Sequence, residues 1–150
     1  MSRIAALQRL LRPRHVAVIG GVEAQTMIQQ CEMMNYAGEL WPVNPKRATM
    51  GETLGDKKCF ASVGELPQAP DAAFIAVPRE ATISYVRELA QSGAGGAVCF
   101  AAGFAEMGEE GARLQAQLVE AAGDMAIVGP NCYGVLNYLD GVALFPDSHG

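Results

Sequence analysis

The chain has 150 residues, of which 50% are hydrophobic and 18% charged, the balance that one packed globular core requires. Its net charge of −5 offers no general attraction to nucleic acid or to an anionic membrane, so any anionic ligand must be held by local groups. Cys31, Cys59, Cys99 and Cys132 fall in no CxxC or Cys/His spacing, which argues against zinc and against a secreted disulfide framework. Residues Met1 to Leu11, interrupted by Arg3 and Arg9, form neither a secretory signal nor a membrane span. A cytoplasmic protein with free thiols is the expectation.

Ile4, Leu7, Leu10 and Leu11 recur at helical spacing, so residues 1–13 read as an N-terminal helix that Pro13 stops. The apolar run from His15 to Ile19 reads as a buried first strand, closed by Gly20-Gly21 and followed by a helix over Ala24 to Tyr36. Leu40 to Val43 is a short second strand and Asp71 to Val77 a continuous apolar third. Between them, Ser62 to Leu66 allows at most one helical turn, whereas Ile83, Val86 and Leu89 mark a helix beginning just after Pro78. A fourth strand spans Gly96 to Phe100, and a helix over Glu109 to Ala122 carries two acids in its first turn. Met125 to Val128 is a fifth strand, and residues 138–150 read as a tail or the start of a linker. Strands and helices alternating in this way predict an α/β, Rossmann-like, doubly wound domain: a mostly parallel sheet of five to six strands with helices on both faces.

In such a sheet the ligand crevice lies outside the carboxyl ends of the strands, so the residues following each strand are the candidates. Gly20 and Gly21, with Val22 and Gln25 behind them, place a glycine turn before a helix N-terminus, where unpaired N–H groups can hold a phosphate. The GxGxxG spacing is absent and Glu23 would repel a phosphate, so a tight turn without a ligand stands as the alternative. After the second strand an NAD-binding domain usually places an acid for the ribose hydroxyls. Here Val43-Asn44-Pro45-Lys46 and Arg47 present neutral and basic groups, suited to the 3′-phosphate of coenzyme A or the 2′-phosphate of NADP, or simply to solvent. Val77-Pro78, Phe100-Ala101-Ala102 and Asn131-Cys132 occupy the remaining strand ends. The Phe104 ring reads as core, and His15 as a surface or edge residue. Cys132 has no histidine in a context that would activate it and reads as structural, while His149 lies in the tail. Without paired carboxylates, a metal cluster or a Ser/His/Asp set, the chain offers binding groups without reaction groups.

Five stretches occur in an order that resembles a known family. They are Pro13 to Gly20, Trp41-Pro42-Val43-Asn44-Pro45-Lys46, Ala76-Val77-Pro78, Ala102-Gly103-Phe104-Ala105-Glu106 with Gly108 to Gly111, and Gly129-Pro130-Asn131-Cys132-Tyr133-Gly134-Val135-Leu136-Asn137. Together they resemble the CoA-binding domain of NDP-forming acyl-CoA synthetases, related to the alpha subunit of succinyl-CoA synthetase. The resemblance implies coenzyme A held non-covalently, with the first turn facing nucleotide phosphates and Lys46 on a CoA phosphate. It also implies that Phe100 to Ala102 run along the cofactor, that Pro78 lines the crevice, and that Asn131 and Cys132 border the thioester end. In complete enzymes of this kind a phosphohistidine in the next domain and an ATP-grasp domain carry the chemistry. The chain therefore looks like the N-terminal module of an acid–thiol ligase, inactive alone, with those parts supplied in cis or in trans, and with CoA or acyl-CoA as its ligand. A homodimer, an NAD(P)-binding regulatory domain, and an interaction domain whose depleted glycine loop no longer binds nucleotide remain open alternatives.

Overall fold

The computed structural model describes residues 1–149; Gly150, the last residue of the expected tail, lies outside them. Helix α1 (Arg3–Leu11) is capped by Ser2, whose Oγ accepts the Ala5 N–H at 3.1 Å, and leads into β1 (His15–Gly20). After α2 (Val22–Met33) come β2 (Glu39–Val43) and a short α3 (Pro45–Thr49) that the sequence reading did not anticipate. A small hairpin, β3 (Thr53–Leu54) with β4 (Lys57–Lys58), and a 3₁₀ turn over Val63–Glu65 precede β5 (Ala72–Ala76). Then follow α4 (Arg79–Ser92), β6 (Gly96–Cys99), α5 (Glu109–Ala122) and β7 (Ala126–Val128). A second hairpin, β8 (Val135–Asn137) with β9 (Val142–Leu144), completes the described chain.

The five longer-range strands pair in the order β2-β1-β5-β6-β7, all parallel. From β1 the chain steps to β2 on one side and then crosses to β5 on the other, so the winding reverses between β1 and β5. That reversal opens a crevice at their carboxyl ends. Alternate strand residues feed two cores. Ala17, Ile19, Ala73, Ile75 and Cys99 meet Ile83, Val86 and Leu89 of α4 and Leu114 and Leu118 of α5. On the opposite face Val16, Val18, Phe74 and Val98 meet Leu10 of α1 and Met27, Ile28 and Cys31 of α2. Burial on both faces explains why these strands read as unbroken apolar runs. Pro42, which has no N–H to give a ladder, sits on the edge strand β2.

Three expectations are corrected. His15 is not at a surface or edge: it is 5% exposed, stacks on Trp41 at 4.7 Å, and its Nδ1 accepts the Asp71 N–H at 3.0 Å. The second helix begins at Val22 and ends at Met33, short of Tyr36, because Asn35 turns to φ 54° and the Tyr36 hydroxyl donates to the Pro13 carbonyl at 2.7 Å. The segment expected as a tail carries β9, with Leu144 buried against α2 and the Ala143 carbonyl accepting from Cys31 Sγ at 3.3 Å. Three apolar residues are too short a run to show a period, so the docking of β9 is a tertiary fact. No helix among the described residues is long and apolar enough to cross a membrane.

Candidate ligand crevice at the strand ends

The carboxyl ends of β2, β1 and β5 enclose a cavity of about 400 Å³. Gly20, Gly21, Val43, Asn44, Pro45 and Lys46 line one side of it, and Val77, Pro78 and Tyr85 the other. Each glycine has its own reason. Gly20 has φ 142°, and a Cβ there would stand 2.6 Å from the Ala76 carbonyl oxygen, so the close approach of β1 to β5 excludes any side chain. A Cβ on Gly21 would meet nothing within 4 Å; this backbone faces open space at the N-cap of α2, which carries no side-chain cap. The first N–H groups of α2 are thus left for solvent or an anion.

Asn44 ties this corner together. Its Nδ2 donates to the Gly20 carbonyl at 2.9 Å, and its Oδ1 accepts the Arg47 N–H at 3.1 Å, capping α3. Pro45 at the first position of α3 reinforces that start. Lys46 is exposed at the rim and makes no ion pair among the described residues. Arg47 is committed elsewhere: its Nη1 donates to the Thr53 carbonyl at 3.0 Å and stands 3.9 Å from Glu52.

A second cavity of about 540 Å³ shares Ala76, Val77 and Pro78 with the first and extends along Phe100, Ala101 and Ala102 beyond β6. Glu23, Arg79 and Glu80 also line it. Arg79 went unnoticed in the sequence reading, although its place directly after a strand end and Pro78 was the available signal. Its Nη1 donates to the Gly103 carbonyl at 2.6 Å and its Nε to Glu80 at 2.9 Å. Opposite, the Glu106 carboxylate accepts the Gly103 N–H at 2.6 Å and the Phe104 N–H at 3.1 Å. A bond from its own N–H, followed by those from Gly103 and Phe104, lowers the Glu106 pKa from the ordinary carboxylate value. The loop after β6 is thereby pinned from both sides, and Phe104 plugs the core beneath it with no exposure.

Val22 and Gln25 lie on α2 but line neither cavity. Asn131 and Cys132 also stand outside both linings, yet the Asn131 N–H donates to the Ala101 carbonyl at 2.9 Å, so the turn after β7 abuts the far end of the second cavity. Asn131 itself adopts φ 55°, after a cis Gly129–Pro130 peptide. Tyr133, which the sequence places in the Gly129 to Asn137 stretch without a role, is 59% exposed there and meets the Phe100 ring edge-on at 5.9 Å. Burial drives the Cys31 thiol up to about 11 and the Cys99 thiol up to about 12, which keeps both protonated.

The parallel sheet with its winding reversal, the glycine turn at a helix N-terminus and the basic rim after β2 define a nucleotide-binding α/β domain of the doubly wound class. The CoA binding domain family matches residues 14–138, and the chain belongs to that family. It is 43% identical over 145 residues to a trans-feruloyl-CoA synthase from an unknown prokaryotic organism, covering 92% of this chain and 20% of the relative. An ADP-forming acetate–CoA ligase of Archaeoglobus fulgidus is 38% identical over 136 residues, with 87% of this chain and 19% of the relative covered. Among solved structures, the apo dinucleotide-forming acetyl-coenzyme A synthetase 1 of Ca. Korarchaeum cryptofilum superposes with a TM-score of 0.84 at 26% identity, over 93% of this chain and 31% of that one. The chain thus spans about 20% of the length of these two curated relatives.

Proposed function

We propose that the crevice at the strand ends binds coenzyme A non-covalently, as the CoA-holding module of an NDP-forming acyl-CoA synthetase. Two neighbouring cavities that share Ala76, Val77 and Pro78 in their linings are the observation that carries this reading: side by side they cover the strand ends from Lys46 to Ala102. Lys46 takes a CoA phosphate at one end, and the α2 N-terminus with Gly21 faces the pyrophosphate. The pantetheine arm follows Pro78 and the backbone of Phe100 to Ala102, and the thiol emerges by the Asn131-Cys132 turn. Val43, Asn44 and Pro45 shape the first pocket, while Val22 and Gln25 act only through the position of α2. The phosphohistidine and ATP-grasp steps belong to domains supplied in cis or in trans.

The NADP reading has less support, because Arg47, which would join Lys46 on a 2′-phosphate, is already bonded to Thr53. Likeness to the trans-feruloyl-CoA synthase supports a hydroxycinnamoyl-type acid as the parent enzyme's substrate. Calorimetric titration with CoA, dephospho-CoA and the Lys46→Ala variant tests the assignment. Saturable CoA binding weakened by each change, by about 1–3 kcal/mol for a lost charge-assisted contact, is expected. Heat with NADP and none with CoA would overturn it.

A further inference from the structure

The parallel order places Lys46, after β2, at one edge of the sheet, while the turn after β7 folds back on β6, where the Asn131 N–H bonds to the Ala101 carbonyl and the Tyr133 ring meets Phe100. Three strand spacings of about 4.8 Å separate β2 from β6 by roughly 14 Å, a length suited to an extended ligand. The proposed CoA path therefore delivers its reacting end to the β6–β7 corner. That corner is aromatic. Phe100 lines the second cavity, the Tyr133 ring stands edge-on to it at 5.9 Å, and Phe145 backs Tyr133 at 5.6 Å. Phe100 is in turn held from below by the buried Phe74 at 6.3 Å. Tyr133 leaves more than half its surface open to solvent, and its hydroxyl makes no hydrogen bond among the described residues, so internal packing does not use the whole ring.

Resting on the CoA reading, we propose that Tyr133, supported by Phe100 and Phe145, is a specificity-determining residue. It stacks on a planar aromatic acyl group carried by the CoA thiol and so favours aromatic over short aliphatic thioesters. An aromatic ring offers the Tyr133 face or edge a quadrupolar and dispersive contact that an acetyl group lacks. The hydroxyl is dispensable to this role, and the ring is required.

The test is the ratio of dissociation constants for acetyl-CoA and for a hydroxycinnamoyl-CoA, measured by calorimetry on the whole chain, with CoA as reference. The wild type is expected to bind the aromatic thioester ~3- to 10-fold more tightly, the range a single aromatic contact supplies. Tyr133→Phe retains that ratio, and Tyr133→Leu brings it close to unity. A wild-type ratio of one, or a ratio that survives Tyr133→Leu, overturns the proposal while leaving CoA binding intact. Equal weakening of all three ligands by Tyr133→Leu also overturns it, since the ring would then touch a part of CoA common to them. Absence of binding by CoA and both thioesters would overturn the CoA reading itself, and this one with it.

Discussion

Gly20 and Gly21 are neighbours with opposite constraints. At Gly20 an alanine would push its Cβ against the Ala76 carbonyl in a backbone conformation that L-residues avoid. Gly20→Ala is expected to cost about 1–3 kcal/mol of unfolding free energy in urea titrations, a typical range for forcing such strain. Gly21→Ala has open space around it but puts a poor N-cap residue at the start of α2, so it should cost about 0.5–1 kcal/mol, and CoA affinity measured on the folded variant reads the binding effect separately. The thiols sort by burial in the same way. Cys31, Cys59 and Cys99 are buried, and Cys132 is partly accessible. Alkylation of the native chain should modify Cys132 first and reach Cys31 and Cys99 only on unfolding, which mass spectrometry of partially labelled protein will read. Protection of Cys132 by CoA is expected if the thiol end of the ligand lies beside it.

At the scale of elements, Asp71 joins α1 to the amino ends of β1 and β5. Its buried carboxylate accepts Arg9 Nε at 2.7 Å, and Arg14 donates to it through both the main-chain N–H at 3.0 Å and Nε at 2.9 Å. Burial alone would raise the Asp71 pKa; the bonds from Arg14 and Arg9 outweigh it and hold the carboxyl well below the ordinary range. Because the folded value lies below the unfolded one, the stabilisation is complete above about pH 4 and is lost as the pH falls from there toward the folded value. Asp71→Asn should lower stability at pH 7 by about 2–3 kcal/mol, since bonds to a charged partner are replaced by weaker ones. Its unfolding free energy should also fall less steeply with acid than that of the wild type. Denaturant titrations at pH 7 and pH 3.5 check both the loss and its slope. In the sequence Asp71 stands only as the start of a strand. Its role depends on Arg9 and Arg14, which are more than fifty positions away, and no periodicity reports such a pairing.

For the molecule as a whole, a ligand that binds only the folded chain must raise its stability by mass action. CoA at a hundredfold excess over its dissociation constant should add about 2.7 kcal/mol, visible as a concentration-dependent rise in Tm. Dephospho-CoA at the same concentration should give a smaller rise, and Lys46→Ala should shrink the response to CoA. These thermal shifts report ligand binding and need no acyl transfer.

The doubly wound class and most of the crevice were legible because their causes are local. Strands buried on both faces are apolar along their length, as Val16 to Ile19 and Ala72 to Ala76 are, and the helices that follow these strand ends start at a glycine turn or a Pro. Because ligand crevices lie outside the carboxyl ends of the strands, the strand ends alone single out Gly20, Asn44, Lys46, Pro78 and Ala101. The order of the strands, the burial of His15 against Trp41, the docking of β9 on α2 and the meeting of Tyr133 with Phe100 were decided only by the tertiary structure. Each joins residues far apart in the chain through packing, and packing depends on which surfaces the whole fold brings into contact, information that a local pattern of residue types does not hold.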